Sequence, residues 1–459
     1  MLGYGGILCP NFSTLTFRCH KTMRLSRYTL FIPDFPEAGK HLAFNTRTQA
    51  QVVIDAELKR ALEALPAAPG EGPAREALLA LERMGIVAVE AADEGRVLED
   101  WFQALKQDRS ELSATVLTTY DCNFACPYCV EEGAKSRVYM DAGTARRAAA
   151  YIQARAERDG PQRLRVNFYG GEPLLNRRAI GIVARALQAF CARKTLPFSF
   201  SLTTNGALLT PDTVEALTAW GLQSAKITLD GTREFHDRKR PFRDGRGSFD
   251  LLLRHLHYAA GRIQVDIGCN FDQENLASLY DLLALLEAEG LKEKIRSISF
   301  KPILATYPER QRSHGGADLG CVFSEPAVMR SMVGLKRAAL ERGFPTSIGL
   351  GVNLCSMAMG DTVLIIDPRG RLFRCPAFVG REGFSAGDID HPGQEDFRPL
   401  ELWRRCQDCP YVPLCGDGCL YAAYIRFGDL TRLNCQKDFM EYMVREHVKM
   451  NYTYGRRRG

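Results

Sequence analysis

The feature of this 459-residue chain that most restricts its fold is a regular alternation of strand-like and helix-like segments from about residue 112. The pattern predicts six strands, at residues 114–121, 164–170, 198–204, 224–230, 264–271 and 296–303. Helices are predicted near residues 142–158, 175–193, 211–220, 248–260, 276–289 and 325–342. Strands that alternate with helices form parallel sheets with right-handed crossovers. Because six units are too few for a closed eightfold barrel, we predict an α/β fold with an open, partial (β/α)6 barrel.

Regions of different character flank this predicted barrel. Upstream, three short strands at 28–34, 41–48 and 50–55 and helices at 56–65 and 73–84 predict a small α+β module. Downstream of residue 345, short strands and cysteines predict an irregular, cysteine-rich domain. The predicted divisions are an extension at 1–25, the module at 26–110, the barrel at 111–320, the cysteine-rich domain at 345–440 and a basic tail at 441–459. A second methionine at Met23 offers an alternative start of translation. The residues upstream of it can therefore be interpreted as a mispredicted start.

Composition and targeting features restrict the compartment. The first 22 residues lack the charged and apolar regions of a secretory signal, and no apolar run approaches the length of a membrane span. We therefore expect a cytoplasmic protein without a membrane segment. In a reducing compartment the fifteen cysteines argue for metal or redox chemistry rather than disulfides. The net charge of +6 is modest and lies partly in the tail, so a nucleic-acid partner is not favoured.

One cysteine group follows the first predicted barrel strand. Cys122, Cys126 and Cys129 have the spacing Cys-x3-Cys-x2-Cys, at the end of the strand where barrel active sites form. Three thiolates can hold three irons of a [4Fe–4S] cluster and leave the fourth iron open to another ligand. A zinc site is the alternative, but the position of the loop after a strand favours the cluster.

The run CNFACPYC, with Tyr128 before its last cysteine, resembles the signature loop of the radical SAM superfamily. The resemblance covers roughly residues 112–303. It implies that the open iron binds the amino and carboxylate groups of S-adenosylmethionine (SAM) and that Tyr128 lies near the adenine.

The ends of the second and third predicted strands carry matching motifs. The run Gly170, Gly171, Glu172, Pro173 resembles the family element that grips the SAM amino group. Its glycines allow close approach of the backbone to a ligand, and Glu172 supplies an acceptor. At the end of the third strand, Thr203 and Asn205 carry side chains that could reach a ribose.

The fourth and fifth strands continue the resemblance. The run Thr228-Leu229-Asp230-Gly231 is followed by Arg240, which could pair with the SAM carboxylate or form an ordinary surface ion pair. Asn270 is a further nucleoside-contact candidate. His236 is expected to be structural rather than catalytic.

A second group of seven cysteines occupies the C-terminal part and resembles the SPASM extension, a twitch-type domain with two auxiliary [4Fe–4S] clusters. By that resemblance, the ligands of one cluster are Cys355, Cys375 and Cys419. The ligands of the other cluster are Cys406, Cys409, Cys415 and Cys435. Cys321 is a less favoured fourth ligand of the first cluster. Zinc is the alternative, although seven cysteines do not complete two four-thiolate sites.

The resemblance implies an enzyme whose cofactors are SAM and three [4Fe–4S] clusters. An external one-electron donor, flavodoxin- or ferredoxin-like, would drive cleavage of SAM to a 5′-deoxyadenosyl radical that abstracts hydrogen from a peptide or protein substrate. SPASM enzymes mostly act on ribosomal peptides, so the implied reaction is an oxidative thioether or carbon–carbon cross-link. The N-terminal module is similar to domains that capture a leader peptide as an added strand, with a structural lid as the alternative.

Two other functions compete with peptide cross-linking. An anaerobic sulfatase-maturating enzyme carries an acidic base after the cysteine that matches Cys375, where this chain has Pro376 and Ala377. It also has a cysteine between the positions of Cys355 and Cys375 that is missing here. A non-catalytic metal-binding regulator is the more distant alternative. The sequence assigns no catalytic base, since the candidates occur at turn-like positions, namely Asp361, Asp367 and Asp388.

Overall fold

The computed structural model describes residues 22–66, 73–129, 131, 136–303, 325–347, 350–352, 354–397 and 399–455. Most of the predicted extension, Cys321 and the arginines at 456–458 lie outside the described residues. The chain divides into two compact units, one ending at Glu94 and the other beginning at Gly95. No helix in the described ranges is both long and apolar enough to cross a membrane.

The first unit contains the three predicted strands as one antiparallel sheet in the order β2-β3-β4, and helices α1 and α2 follow it. Two further strands, β1 and β5, pair antiparallel with each other. The Asp55 carboxylate accepts a hydrogen bond from the Leu58 N–H at 2.8 Å and so begins α1. The elements are β1 (Met23–Leu25), β2 (Thr29–Pro33), β3 (Lys40–Asn45), β4 (Gln51–Asp55), α1 (Ala56–Glu63), α2 (Pro73–Arg83) and β5 (Val87–Val89).

The second unit is built on a sheet whose six predicted strands are all parallel and adjacent in the order β11-β10-β9-β8-β7-β6. This confirms the predicted α/β class. The strands are β6 (Glu111–Leu117), β7 (Arg163–Tyr169), β8 (Phe198–Thr204), β9 (Leu222–Thr228), β10 (Gln264–Phe271) and β11 (Ser297–Pro302). The first strand ends four residues earlier than predicted, so four residues lie between Leu117 and Cys122.

Two strands beyond the prediction extend this sheet. β12 (Val363–Ile366) pairs parallel with β6, and β13 (Leu372–Phe373) pairs antiparallel with β12. Both come from the region downstream of residue 345, where short strands were predicted but their pairing with the barrel sheet was not. A four-residue apolar run gives no periodic signal, and its partner strand lies far away in the sequence.

Helices cover the outer face of the sheet, and each predicted one is present. Their ends follow local capping: Asp141 accepts from the Thr144 N–H at 2.8 Å at the start of α4, and left-handed Gly160 ends that helix. The helices are α3 (Glu94–Gln107), α4 (Ala142–Asp159), α5 (Arg177–Lys194), α6 (Pro211–Ala219), α7 (Arg233–Lys239), α8 (Phe249–Ala260), α9 (Leu276–Ala288) and α10 (Pro326–Glu341).

The C-terminal part has short 3-10 turns and three helices, α11 (Val412–Cys415), α12 (Leu420–Phe427) and α13 (Lys437–Gly455). Its apolar residues form a small cluster around Phe378, whose ring stacks on Phe384 with 4.0 Å between centroids. This cluster is much smaller than the core between the parallel sheet and its helices.

Candidate active site

The carboxyl ends of the parallel strands surround a cavity of about 350 Å³. Every residue predicted to bind the first cluster or SAM lines this cavity except Glu172 and Pro173. Those that line it are Cys122, Cys126, Tyr128, Cys129, Gly170, Gly171, Thr203, Asn205, Arg240 and Asn270. The strand register therefore brings together residues that are up to 148 positions apart in the sequence.

The cysteine loop after β6 is held by the chain on both sides. The Asn205 amide donates to Asn123 Oδ1 at 2.7 Å and lies 3.8 Å from Cys122 Sγ. The Ala125 N–H donates to the Pro241 carbonyl at 2.9 Å. Cys122 and Cys126 are buried, and Cys129 is half-buried at the cavity wall. Three soft thiol donors from one fixed loop fit an iron–sulfur cluster.

The two glycines at the end of β7 are required by the chain's own backbone. Gly170 has a φ of +131°, and a Cβ on it would lie 2.3 Å from the Thr119 carbonyl oxygen. A Cβ on Gly171 would lie 2.2 Å from the Asp121 carbonyl oxygen. The sequence predicted that these glycines allow close approach of a ligand. The structure shows that they first allow β7 to pack against the segment leading to the cysteine loop.

Glu172 lies behind the cavity wall and is fully buried. Its carboxylate accepts hydrogen bonds from the Asn205 N–H at 2.8 Å, the Leu174 N–H at 3.0 Å and the Thr204 hydroxyl at 2.8 Å. Burial raises the pKa of Glu172, and these hydrogen bonds oppose the rise. The carboxylate thus joins the ends of β7 and β8. Pro173 is also buried, and its carbonyl accepts from the Thr118 hydroxyl at 3.1 Å.

A buried polar cluster around Asp230 forms the adjoining wall. Asp230 accepts a hydrogen bond from the Tyr128 hydroxyl and another from the Asn270 N–H at 2.7 Å. The Arg240 guanidinium lies 3.6 Å from its carboxylate and donates to the Tyr128 hydroxyl at 2.7 Å. Burial raises the pKa of Asp230, whereas the charge of Arg240 opposes that rise. Sequence reasoning noted Asp230 only as part of a motif and missed its central position.

Arg240 retains one unsatisfied donor. Its Nε is buried and has no hydrogen-bond partner within the described residues, although the side chain lines the cavity. Buried donors of this kind are uncommon in folded proteins. A carboxylate in the cavity would satisfy it, so the site fits the amino-acid end of SAM.

His236 is structural, as expected. It is fully buried, and its Nδ1 accepts from the Asp230 N–H at 3.2 Å while its Nε2 lies 3.1 Å from the Ser248 hydroxyl. Burial lowers its pKa well below the usual range, so the ring is neutral at physiological pH.

Apart from Asn270, the wall formed by β9, β10 and β11 was not predicted from the sequence. Its polar members include Lys226, Thr228, Ser299 and Lys301. Whether a strand residue faces the cavity depends on strand register, which local periodicity does not reveal for strands covered on one side by helices.

The C-terminal cysteines come together as two groups. Burial raises the pKa of Cys375 to about 12, and the nearby Cys355 and Cys419 thiols add to the effect. Burial likewise raises the pKa of Cys415 to about 12, with contributions from Cys409, Cys406 and Cys435. These are the two sets that the sequence assigned to separate clusters. Among the described residues, no three His, Cys, Asp or Glu side chains are arranged to hold a single metal ion.

Comparison with known proteins finds similarity over part of the chain. Residues 116–286 match the model of the radical SAM superfamily. Mycofactocin maturase of Mycobacterium tuberculosis is 27% identical over 331 residues, which cover 67% of this chain and 77% of that protein. The serine-type anaerobic sulfatase-maturating enzyme of Klebsiella aerogenes is 28% identical over 331 residues, covering 65% of this chain and 76% of the relative.

A solved structure of anSMEcpe with bound AdoMet has a similar fold. It superposes with a TM-score of 0.61 at 17% identity and covers 75% of this chain and 99% of that one. At this identity the likeness concerns the fold alone.

Proposed function

Because residues 116–286 form a radical SAM domain, we propose that this enzyme is a peptide maturase that oxidatively modifies a ribosomal peptide by a thioether or carbon–carbon cross-link. One observation carries the proposal. Three thiols from a single loop share a cavity with Asn205, Arg240 and Asn270, which come from the ends of other strands. The match to mycofactocin maturase supports a peptide as substrate.

Most of the cavity residues predicted from the sequence have a proposed role. Cys122, Cys126 and Cys129 would hold the first cluster, and Arg240 would pair through its free Nε with the SAM carboxylate. When bound, the cluster and SAM supply the one-electron cleavage that yields a 5′-deoxyadenosyl radical. The backbone of Gly170 and Gly171 would face the SAM amino group. The enclosed wall limits the access of water and fixes the substrate bond near the reacting carbon.

Three further residues of the cavity lining would orient the nucleoside of SAM, namely Tyr128, Thr203 and Asn270. Glu172 and Pro173 would act as positioning residues, since they lie behind the wall. Cys269 and Tyr169 also line the cavity without an assigned role.

We further propose two auxiliary clusters, which with the first make three. Their ligands would be the two thiol groups described above, and their chemistry is the transfer of electrons released by the substrate. The reducing electron for the first cluster would come from an external flavodoxin- or ferredoxin-like protein.

The first unit is proposed to capture a leader peptide. Its three-stranded sheet has β2 and β4 at the edges, and an edge strand offers unpaired backbone groups to an incoming peptide. The edge strands of this sheet are the observation that supports a leader-binding function for the unit.

Formylglycine formation in a sulfatase is the second candidate, favoured by the similarity to the Klebsiella aerogenes enzyme. The position after Cys375 argues against it. Pro376 opens a 3-10 turn there and carries no carboxylate that could accept a proton.

The first experiment measures iron, sulfide, zinc and SAM cleavage after anaerobic reconstitution. We expect about twelve irons per chain with matching sulfide, as three cubane clusters require. The Cys126→Ala variant should lose about four irons and all 5′-deoxyadenosine formation. The matched variant Cys191→Ala, at a buried cysteine of α5 far from the cavity lining, should lose neither. Stoichiometric zinc, or SAM cleavage by Cys126→Ala, would contradict the proposal.

A further inference from the structure

Two lysines share the wall of the cavity formed by β9, β10 and β11. Lys226 is half-buried and Lys301 is exposed, and both line the cavity that also contains Cys122, Cys126 and Cys129. Neither lysine forms an ion pair or hydrogen bond within the described residues. Two unpaired cations directed at one concave site are unusual, because a partly buried lysine normally has a carboxylate partner.

The acid in register with Lys226 is already engaged. Asp266 is in register with Lys226 on the neighbouring strand. Its carboxylate, however, accepts from Arg296 Nε at 2.9 Å and from the Ser297 hydroxyl at 2.6 Å. Glu131, an acidic residue elsewhere in the described cavity lining, faces Tyr169, and its charge raises the pKa of that hydroxyl. Among the described lining residues, the wall formed by β9, β10 and β11 therefore presents two lysines and no carboxylate.

Gly268 makes room for one of these lysines. It lies on β10 with ordinary backbone conformation, so no turn requires a glycine there. A Cβ at Gly268 would lie 2.8 Å from Lys226 Cε and 3.6 Å from its Nζ. The Lys226 side chain thus crosses β10 at the glycine. It extends towards β11, the strand that carries Lys301.

We infer that Lys226 and Lys301 form a carboxylate-binding subsite that positions the peptide substrate inside the barrel. The inference rests on the proposed function and names a property of the substrate, namely a carboxylate near the modified residue. Burial and the charge of Lys301 lower the pKa of Lys226, whereas the charge of Asp266 opposes them. The negative charge of a bound carboxylate would further favour the protonated form of Lys226. The carboxylate could belong to an acidic side chain or to the peptide C-terminus.

SAM also carries a carboxylate, but the structure offers it another partner. Arg240 has a buried, unsatisfied Nε and lies beside Tyr128 in the polar cluster around Asp230. Lys226 lies two residues before Thr228, on the same face of β9 and farther from its carboxyl end. A substrate entering the barrel is therefore the better match for the lysines.

The test uses the reconstituted enzyme with SAM bound and three tetrapeptide probes in calorimetric titrations. The probes are acetyl-Ala-Ala-Ala-Glu amide, acetyl-tetra-Ala with a free C-terminus, and neutral acetyl-tetra-Ala amide. We expect at least one anionic probe to bind about tenfold more tightly than the neutral one. The first probe reports a side-chain carboxylate and the second a C-terminal carboxylate.

Matched variants identify the residues responsible. Lys226→Met and Lys301→Met should each abolish most of the preference for the anionic probe, and Gly268→Ala should weaken it by displacing Lys226. Lys194→Met, at an exposed lysine paired with Glu157, should leave the preference unchanged. SAM affinity should stay within about twofold in all four variants.

Two results would overturn the inference: equal binding of all three probes to the unmodified enzyme, or a loss of SAM affinity in Lys226→Met in place of the loss of anion preference. In either case intact iron content and SAM cleavage would leave the proposed function standing. Failure of the proposed function itself would appear as absent iron and absent SAM cleavage in the unmodified enzyme.

Discussion

The parallel barrel and the cysteine-rich segment from residue 354 to 435 belong to one compact unit but are ordered by different means. The barrel strands have six to eight residues, and rings such as Phe168 and Phe200 are fully buried between sheet and helices. Apart from β12 and β13, which belong to the barrel sheet, the cysteine-rich segment has two short helices, 3-10 turns of three to five residues and a small core around Phe378. Burial of apolar surface is enough to hold the first region, whereas the second needs ligand bonds between its thiols.

Iron removal should therefore separate the two regions, and this is the largest effect that we predict. In the Cys406→Ala/Cys409→Ala double variant, iron should fall from about twelve to about eight per chain. The cysteine-rich segment should become sensitive to limited proteolysis, while the barrel resists because its core does not depend on these thiols. Mass spectrometry of the fragments locates the cuts.

The control is Cys191→Ala, which removes a buried barrel thiol and should change neither iron content nor the cleavage pattern. If the double variant kept its full iron content, the assignment of these thiols to a cluster would be wrong. If it lost iron without new cleavage sites, the segment would be stable without ligand bonds, and the contrast between the two regions would fail.

The same contrast explains what the sequence could predict. Residues 264–271 were predicted as a strand and are found as β10 with the same bounds, since alternation and length identify a barrel strand locally. The pairing of β12 with β6 was not predicted, because it joins positions about 250 residues apart. The resemblance to the SPASM extension implied the two C-terminal thiol groups. It gave no sign of Lys226 and Lys301, whose common wall depends on the register of three strands.

The second prediction concerns the buried polar cluster of the barrel. Asp230→Asn keeps the shape of the side chain but leaves the Arg240 charge buried without a counter-charge. We expect a loss of about 3 kcal/mol in the free energy of unfolding, measured by anaerobic urea titration. Asp250→Asn, which removes an exposed ion pair with Arg233, should cost less than about 0.5 kcal/mol.

A second substitution separates charge from packing. Adding Arg240→Met to Asp230→Asn removes the unpaired charge and should recover part of the lost stability, while SAM binding stays impaired because the carboxylate partner is gone. Equal instability of the single and double variants would show that packing around Asp230, and not the buried pair, limits the stability of this wall.

The smallest predicted effect lies at a polar contact between the two regions. Glu401, in the cysteine-rich segment, accepts from Lys106 Nζ at 2.6 Å and from the Gln103 amide at 3.0 Å, both on α3, the helix that leads to β6. Burial alone would raise the pKa of Glu401, but the hydrogen bonds from Lys106, Arg404 and Gln103 outweigh it and lower the pKa to about 2.

Because the pKa of Glu401 is lower in the folded than in the unfolded chain, its stabilisation is present above pH 4.5 and is lost as the pH falls towards 2. Partial exposure reduces the gain, so Glu401→Gln should cost about 1 kcal/mol at pH 7. The difference in unfolding free energy between the unmodified protein and Glu401→Gln should shrink below pH 4.5. The control Glu157→Gln, which removes an exposed ion pair with Lys194, should not differ from the unmodified protein at pH 7 or below pH 4.5. A gap that stayed constant down to pH 3 would mean that the α3 contact depends on the shape of the Glu401 side chain and not on its charge.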